Sequence, residues 1–290
     1  MVYGAVYDEN LGCCHARAST KIERDKMCGS KYQQSDMKGI YNLILDDLKK
    51  NRYVLFSGTP CQVDSIQRYL MLKNIDTTKL FTVDFVCHGV PSPQLFKEYV
   101  RYRLPDERNI QVLCRDKQKS WRHPYFHVIG RQKHWCTISY IDPYMNLFFE
   151  NTILRESCYN CKYADCHRVS DITLADCWDV HRVCPQMDDD KGVSNIFIST
   201  YKGQKLCEKI NNRVVLQKVN LKDCMQQPLS NPPHKSSYSD RFWASYKEEG
   251  LKYSLEHYSV ISKKDIIWYK YIIPCLKKMK LYNIMRRMLG

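Results

Sequence analysis

Fifteen cysteines in 290 residues constrain what this chain can fold into. Secreted disulfide scaffolds reach that thiol density in short, loop-rich chains. This chain is long, its cysteine count is odd, and no basic, apolar, small-residue leader opens it. The pattern predicts a cytoplasmic protein with reduced thiols and a metal or redox site. Most of the cysteines are expected to be small buried apolar residues. With 44% apolar and 26% charged residues, the chain reads as globular rather than disordered. No apolar run approaches the roughly 18 residues of a membrane-spanning helix, and Lys270 interrupts the stretch 266–275.

The periodicity predicts an α/β fold: a mixed sheet core with flanking helices, a cysteine-rich cluster-binding loop and a helical basic C-terminus. Residues 3–7 read as a strand, closed by the turn signal Asp8-Glu9-Asn10. The chain meets this strand at once, which is read as a missing upstream domain. Residues 39–50 carry a helical pattern with Ile40, Leu43, Ile44 and Leu48 on one face. An apolar run at 53–57, a break at Gly58-Thr59-Pro60 and a helical period over 62–72 make a strand–turn–helix unit. A second buried strand is expected at 81–86, ended by Cys87-His-Gly-Val-Pro91, with a helix beginning at Ser92-Pro93. Further strands are expected at 112–114, 125–129, 135–140, 172–175, 195–200 and 214–219, with helices at 144–149 and 202–211. The reading groups 1–225 as one cofactor-binding domain, 226–240 as a Pro/Ser/Asn-rich linker and 241–290 as a basic helical extension.

Charge narrows the partners. The net charge is +14, and the last fifty residues hold eleven Lys/Arg against four Asp/Glu. An anionic cofactor, protein or surface is implied. No recognisable nucleic-acid module accompanies the charge, so nucleic acid is not assigned as a partner. Residues 266–289 mix Trp268, Tyr269 and Tyr271 with lysines and arginines. They read as a helix packed on its own domain, with peripheral membrane contact as the other reading.

The most informative segment is Cys158-Tyr-Asn-Cys161, followed by Cys166 and His167. C-x-x-C spacing turns two thiolates toward one metal and serves zinc, iron–sulfur clusters or redox disulfides. Polar, turn-like flanks place the redox disulfide last. Cys61 and Cys87 each follow a predicted buried strand, flanked by Gly and Pro, where α/β sheets converge side chains on a crevice. Cys114 and Cys177 read as packing residues, and Cys166 and Cys184 as weaker ligand candidates. A zinc-stabilised structural or binding protein using Cys158, Cys161 and Cys166 or His167 is the alternative.

Two stretches suit phosphate or ribityl contacts: Gly58-Thr59-Pro60 at a strand-to-helix turn, and Cys28-Gly-Ser-Lys31-Tyr-Gln-Gln-Ser35 with its Gly, cation and hydroxyl side chains. Asp171 and Asp176 flank a short strand beside Trp178, where they could bond a cofactor edge or pair with Arg168 and Arg182.

Ser57-Gly-Thr-Pro-Cys-Gln62, Val86-Cys-His-Gly-Val-Pro-Ser92, Cys158-Tyr-Asn-Cys161-Lys and Arg168-Val-Ser-Asp-Ile-Thr-Leu-Ala-Asp-Cys-Trp178 occur in that order. With Gly29-Ser-Lys-Tyr32 they resemble the coenzyme F₄₂₀ hydrogenase/dehydrogenase beta-subunit family over roughly residues 1–200. The resemblance implies an oxidoreductase that binds FAD and a [4Fe-4S] cluster. It implies Cys61, Cys87, Cys158 and Cys161 as cluster ligands. Ser30, Lys31, Gly58, Thr59, Pro60, Gln62, Asp171 and Asp176 become flavin-contacting candidates. It implies electron transfer with an external donor or acceptor such as F₄₂₀ or a ferredoxin-like domain or subunit, with oligomerisation open. No catalytic residue is singled out. The family's ferredoxin-like N-terminal domain is not found here, Cys177 replaces a common Phe, and nothing marks a deazaflavin pocket.

Overall fold

The computed structural model describes residues 1–118, 120–279, 281, 282 and 285. Strands run over Val2–Tyr7 (β1), Cys13–Ala18 (β2), Val54–Gly58 (β3), Leu80–Phe85 (β4), Gln111–Asp116 (β5), Tyr125–Ile129 (β6), His134–Ile138 (β7), Ile172–Asp176 (β8) and Ser194–Ile198 (β9). Packing divides the chain into two compact units, Met1–Pro93 with Arg155–His234, and Gln94–Leu154 with Lys235–Gly290. It thus separates 94–154 from the rest of the 1–225 stretch and groups it with the C-terminal residues.

In the first unit a six-stranded sheet has the order β2-β1-β3-β4-β8-β9. The inner strands β1, β3, β4 and β8 are parallel, and β2 and β9 close the two edges antiparallel. Parallel strands need crossovers. Helix α1 (Lys21–Asp25) follows β2, α2 (Ile40–Lys49) leads into β3, and α3 (Pro60–Leu72) connects β3 to β4. Ile40, Ile44 and Leu48 of α2 and Val63, Ile66 and Leu70 of α3 are buried with Tyr3, Val54, Phe56 and Leu80 of the sheet. Leu43, expected on the apolar face of α2, is instead 43% exposed.

A carboxylate joins this core to the sheet edge. Asp47 of α2, 3% exposed, accepts from the Tyr3 hydroxyl at 2.5 Å and from Arg17 at 2.7 and 2.9 Å. Arg52 adds a further bond at 2.9 Å. The Arg17 hydrogen bond is the chief reason that its carboxyl sits well below the usual range.

Two strand expectations are corrected. Residues 214–219 form no strand; Val215 is 81% exposed, and β9 already ends the sheet. Local β propensity found no partner edge there. Conversely β2, Cys-Cys-His-Ala-Arg-Ala, was not expected, having no β-branched residue, yet it pairs along the whole of β1 from Val2↔Ala18 to Tyr7↔Cys13.

The second unit holds the antiparallel sheet β5-β6-β7. Its core is aromatic: Phe96, Tyr99, Phe126 and Tyr144 are fully buried, and Tyr99 stacks on Tyr144 with centroids 5.3 Å apart. Asp142 caps the helix Pro143–Phe149 through Met145 N–H and accepts from the Tyr99 hydroxyl at 2.5 Å. β7 stops at Ile138, short of the expected 140, because Ser139–Ile141 tightens into a 3-10 turn before that cap. Helices Ser239–Glu248 and Gly250–Tyr258 meet at Gly250, whose φ of +82° favours glycine. The stretch 266–289 is described through 279 and at 281, 282 and 285; its other residues lie outside the described ones. Among the described residues no helix is long and apolar enough to cross a membrane.

Candidate functional site

Four thiols meet at one end of the parallel sheet of the first unit. β3 ends at Gly58, Thr59 turns the chain, and α3 begins at Pro60, which puts Cys61 in its first turn. β4 ends at Phe85, Val86 N–H still bonds Leu174 O at 2.9 Å, and the chain then leaves the sheet through Cys87. Cys158 lies in the short helix Glu156–Tyr159, and Cys161 follows it by one turn. Arg155 N–H donates to Val90 O at 3.0 Å, tying this segment to the turn after β4.

Cys61, Cys87, Cys158 and Cys161 are all free thiols. Burial pushes the Cys87 thiol up to about 12; the Gly89 N–H donates to its sulfur and opposes that, while Cys61, Cys158 and Cys161 each add a like-charge rise. Burial also raises Cys158, against a hydrogen bond from Val90 N–H, with Cys161 and Cys61 adding to the rise. Cys61 is exposed and the other three are partly buried; a nearby cation is what turns such neighbouring thiols into thiolates.

A tetrahedral zinc with Zn–S bonds of about 2.3 Å holds its sulfurs about 3.8 Å apart. Among the described residues, the only three metal-donor groups within 4.8 Å of one another are Asp165, Cys166 and His167, all exposed. No three of Cys61, Cys87, Cys158 and Cys161 are that close. Nor are Cys158 and Cys161 drawn together with Cys166 or His167 in the way the zinc alternative needs.

The cysteine loop is clamped to the sheet. The Arg168 guanidinium donates to Tyr163 O and Asp165 O at 3.0 Å, to Thr173 Oγ1 of β8 at 3.2 Å and to Asp84 Oδ2 of β4 at 3.1 Å. Tyr163 donates to Asp64 of α3 at 2.5 Å, and Arg68 holds the same carboxylate at 2.7 Å. Burial raises the Asp84 pKa, opposed by hydrogen bonding to Thr173 and by the Arg168 charge. Arg168 and Arg182 do not pair with Asp171 or Asp176: Arg182 stands beside Asp179 and Asp223. Sequence reasoning missed Asp84 and Tyr163. The signal for Asp84 was a lone charge inside the apolar run Phe81–Val86.

The flavin candidates lie at the turn between β3 and α3, in the loop between α1 and α2, and at the two ends of β8. Gln62 folds back over Thr59, accepting from its N–H at 3.0 Å and its hydroxyl at 3.1 Å, and Pro60 has no N–H. The helix start is thus partly closed by the chain's own groups. A Cβ on Gly58 would lie 3.0 Å from Gln62 Oε1 and 3.1 Å from the Phe56 ring, so glycine is needed for packing. Lys31 Nζ folds onto the carbonyls of Met27, Cys28 and Gly29, each at 3.1 Å, and Ser30 is exposed beside it. Asp171 is buried: Thr82 N–H and hydroxyl donate to one oxygen at 2.8 and 3.0 Å, and Thr200 donates to the other at 2.5 Å. These bonds join β4, β8 and the N-cap of the helix Tyr201–Ile210. Asp176 ends β8, where its carbonyl accepts from Gln226 at 2.6 Å.

Comparison with known proteins adds the family. No curated protein matches the sequence. One solved structure it resembles is a chain of the xenon-derivatised F₄₂₀-reducing [NiFe] hydrogenase complex from Methanosarcina barkeri. The match has 17% identity and a TM-score of 0.45, covering 88% of this chain and 77% of that one. The family described as the C terminus of the coenzyme F₄₂₀ hydrogenase/dehydrogenase beta subunit matches residues 51–223, which contain all four cysteines of the candidate centre. The chain belongs to the coenzyme F₄₂₀ hydrogenase/dehydrogenase beta-subunit family.

Proposed function

We propose that this chain is the iron–sulfur subunit of a flavin-dependent oxidoreductase, with a [4Fe-4S] cluster held by Cys61, Cys87, Cys158 and Cys161. The observation that carries the reading is the convergence of these four thiols from three separate segments. A cluster bound there would supply one-electron steps.

The chain's own groups prepare the place. Gly89 and Val90 N–H groups donate to the sulfurs of Cys87 and Cys158, which favours the thiolate and tunes the centre. Arg168 and Tyr163 fix the loop that carries Cys158 and Cys161. FAD is proposed beside the cluster on two grounds: open α/β sheets bind cofactors beyond the carboxyl ends of their strands, and the family is named for a hydride-carrying deazaflavin. Gly58-Thr59 and the Cys61 turn stand at that edge. The excess of Lys and Arg suits an acidic redox partner such as a ferredoxin-like protein. The thiol-rich composition suits a reducing, cytoplasmic setting.

Anaerobic purification with iron, sulfide, zinc and flavin assays on one sample tests the reading. About four irons and four sulfides per chain, with FAD, are expected. Zinc with neither iron nor flavin would overturn it.

A further inference from the structure

The helical stretch 263–278 near the C-terminus has one side packed and one side bare. Within the second unit Tyr269 stacks on Tyr140 with centroids 5.1 Å apart and lies 5.8 Å from His123. Ile273 is 3% exposed, and Lys277 Nζ donates to Ser120 Oγ at 2.5 Å. Residues 269, 273 and 277 are spaced i, i+4, i+8 and define the inner side. Trp268–Ile272 form a π turn within the stretch, and away from the inner side Lys264, Ile267, Tyr271 and Lys278 are all exposed. Ile267 is 51% exposed and Tyr271 60%.

A solvated helix turns polar side chains outward. Here the outward side is apolar at its middle and ringed by ammonium groups, with Lys263 and Lys270 also exposed. Asp265 is the one acid between Ser262 and Met279, and it is occupied in capping: its carboxylate accepts from Ser262 N–H at 2.9 Å and hydroxyl at 2.6 Å. The basic run continues in sequence at Lys280, Arg286 and Arg287.

Charge and composition together select the occupant. The buried centre of a protein–protein interface is depleted in lysine. At a lipid surface, lysine stems lie along apolar area while their heads reach phosphates, and tyrosine sits at the headgroup level. We propose that the stretch 263–279 seats this chain on an anionic phospholipid surface. Ile267 and Tyr271 enter the headgroup–acyl boundary, and Lys264, Lys270 and Lys278 meet lipid phosphates. The inference does not rest on the redox reading.

The test is cosedimentation of the full chain with vesicles of phosphatidylcholine alone and of phosphatidylcholine mixed with phosphatidylglycerol. The chain is expected to pellet with the mixed vesicles and to be released by salt. Lys264→Gln with Lys270→Gln and Lys278→Gln should lower partitioning roughly 100-fold, at about fivefold per lysine. Ile267→Asp with Tyr271→Asp should abolish it, with an unchanged circular dichroism spectrum confirming the fold. Wild-type chain that pellets with neither vesicle, or equally with both, overturns the proposal. Capture by an acidic protein partner without vesicle binding overturns it in favour of a protein interface.

Discussion

Arg168 Nη2 stands 3.1 Å from Asp84 Oδ2, with the two side chains 4% and 0% exposed. The pair links the cysteine loop to β4 one residue before the strand ends. Arg168→Met should cost about 3–5 kcal/mol, because it leaves a buried carboxylate without its cation. The loss should shrink at lower pH. Burial already raises the Asp84 pKa in the fold, and without Arg168 it rises further. A raised carboxyl pKa means that stability returns as pH falls through it. Urea unfolding at two pH values checks this, and Asp84→Asn in the same chain should recover much of the loss.

Cys158→Ala should lower iron from about four to near zero per chain while leaving the secondary structure intact. The side chain is only half-buried, so the packing loss is small. Iron analysis paired with circular dichroism separates the two effects. Full iron content in this variant would remove Cys158 from the ligand set.

Asp47 receives Tyr3, Arg17 and Arg52 at one buried point. Asp47→Ala should destabilise the chain by about 1–3 kcal/mol, since the buried Tyr3 hydroxyl loses its acceptor and the partly exposed Arg17 loses its partner. Lower urea midpoints with an unchanged denaturant slope would show it.

His15 is stacked on Phe56 and bonded to Ser35 Oγ at 2.7 Å and Ser57 O at 3.0 Å. Burial lowers its pKa from the ordinary 6.5, so it stays neutral in the fold. The unfolded chain takes up the proton first. Stability should therefore be full above about pH 6.5 and fall as pH drops from there toward the folded value. His15→Gln should flatten that part of the pH profile of the unfolding midpoint.

Gly203 packs its helix onto the start of β8. A Cβ there would lie 2.2 Å from Asp171 O, a backbone atom that cannot step aside. Gly203→Ala should cost about 1–3 kcal/mol through overpacking. A lowered melting temperature would record it.

Much of the sheet could be read from the chain because its signals are local. β3, β4 and β8 are short apolar runs, and Gly58-Thr59-Pro60 announces the turn that exposes Cys61. Cys87 was legible for the same reason, a thiol at a strand end beside Gly and Pro. What escaped reading is decided over distance. β2 is a strand because it pairs along β1, and 214–219 is not one because it pairs with no strand. Asp84 finds Arg168 across 84 positions. The bonds of the Lys31 ammonium to the carbonyls of Met27 and Cys28 are likewise visible only in the folded chain.

The strand order also sets a timetable for synthesis. β4 must wait for β8, its parallel neighbour, until residues 86–171 have emerged. At about 5–20 residues per second this takes on the order of ten seconds. During that interval the growing chain presents an open strand edge and an incomplete set of thiols, with Cys158 and Cys161 the last of the four to leave the ribosome. If the proposed cluster is bound, its metal is delivered after that point, and slower translation lengthens the interval.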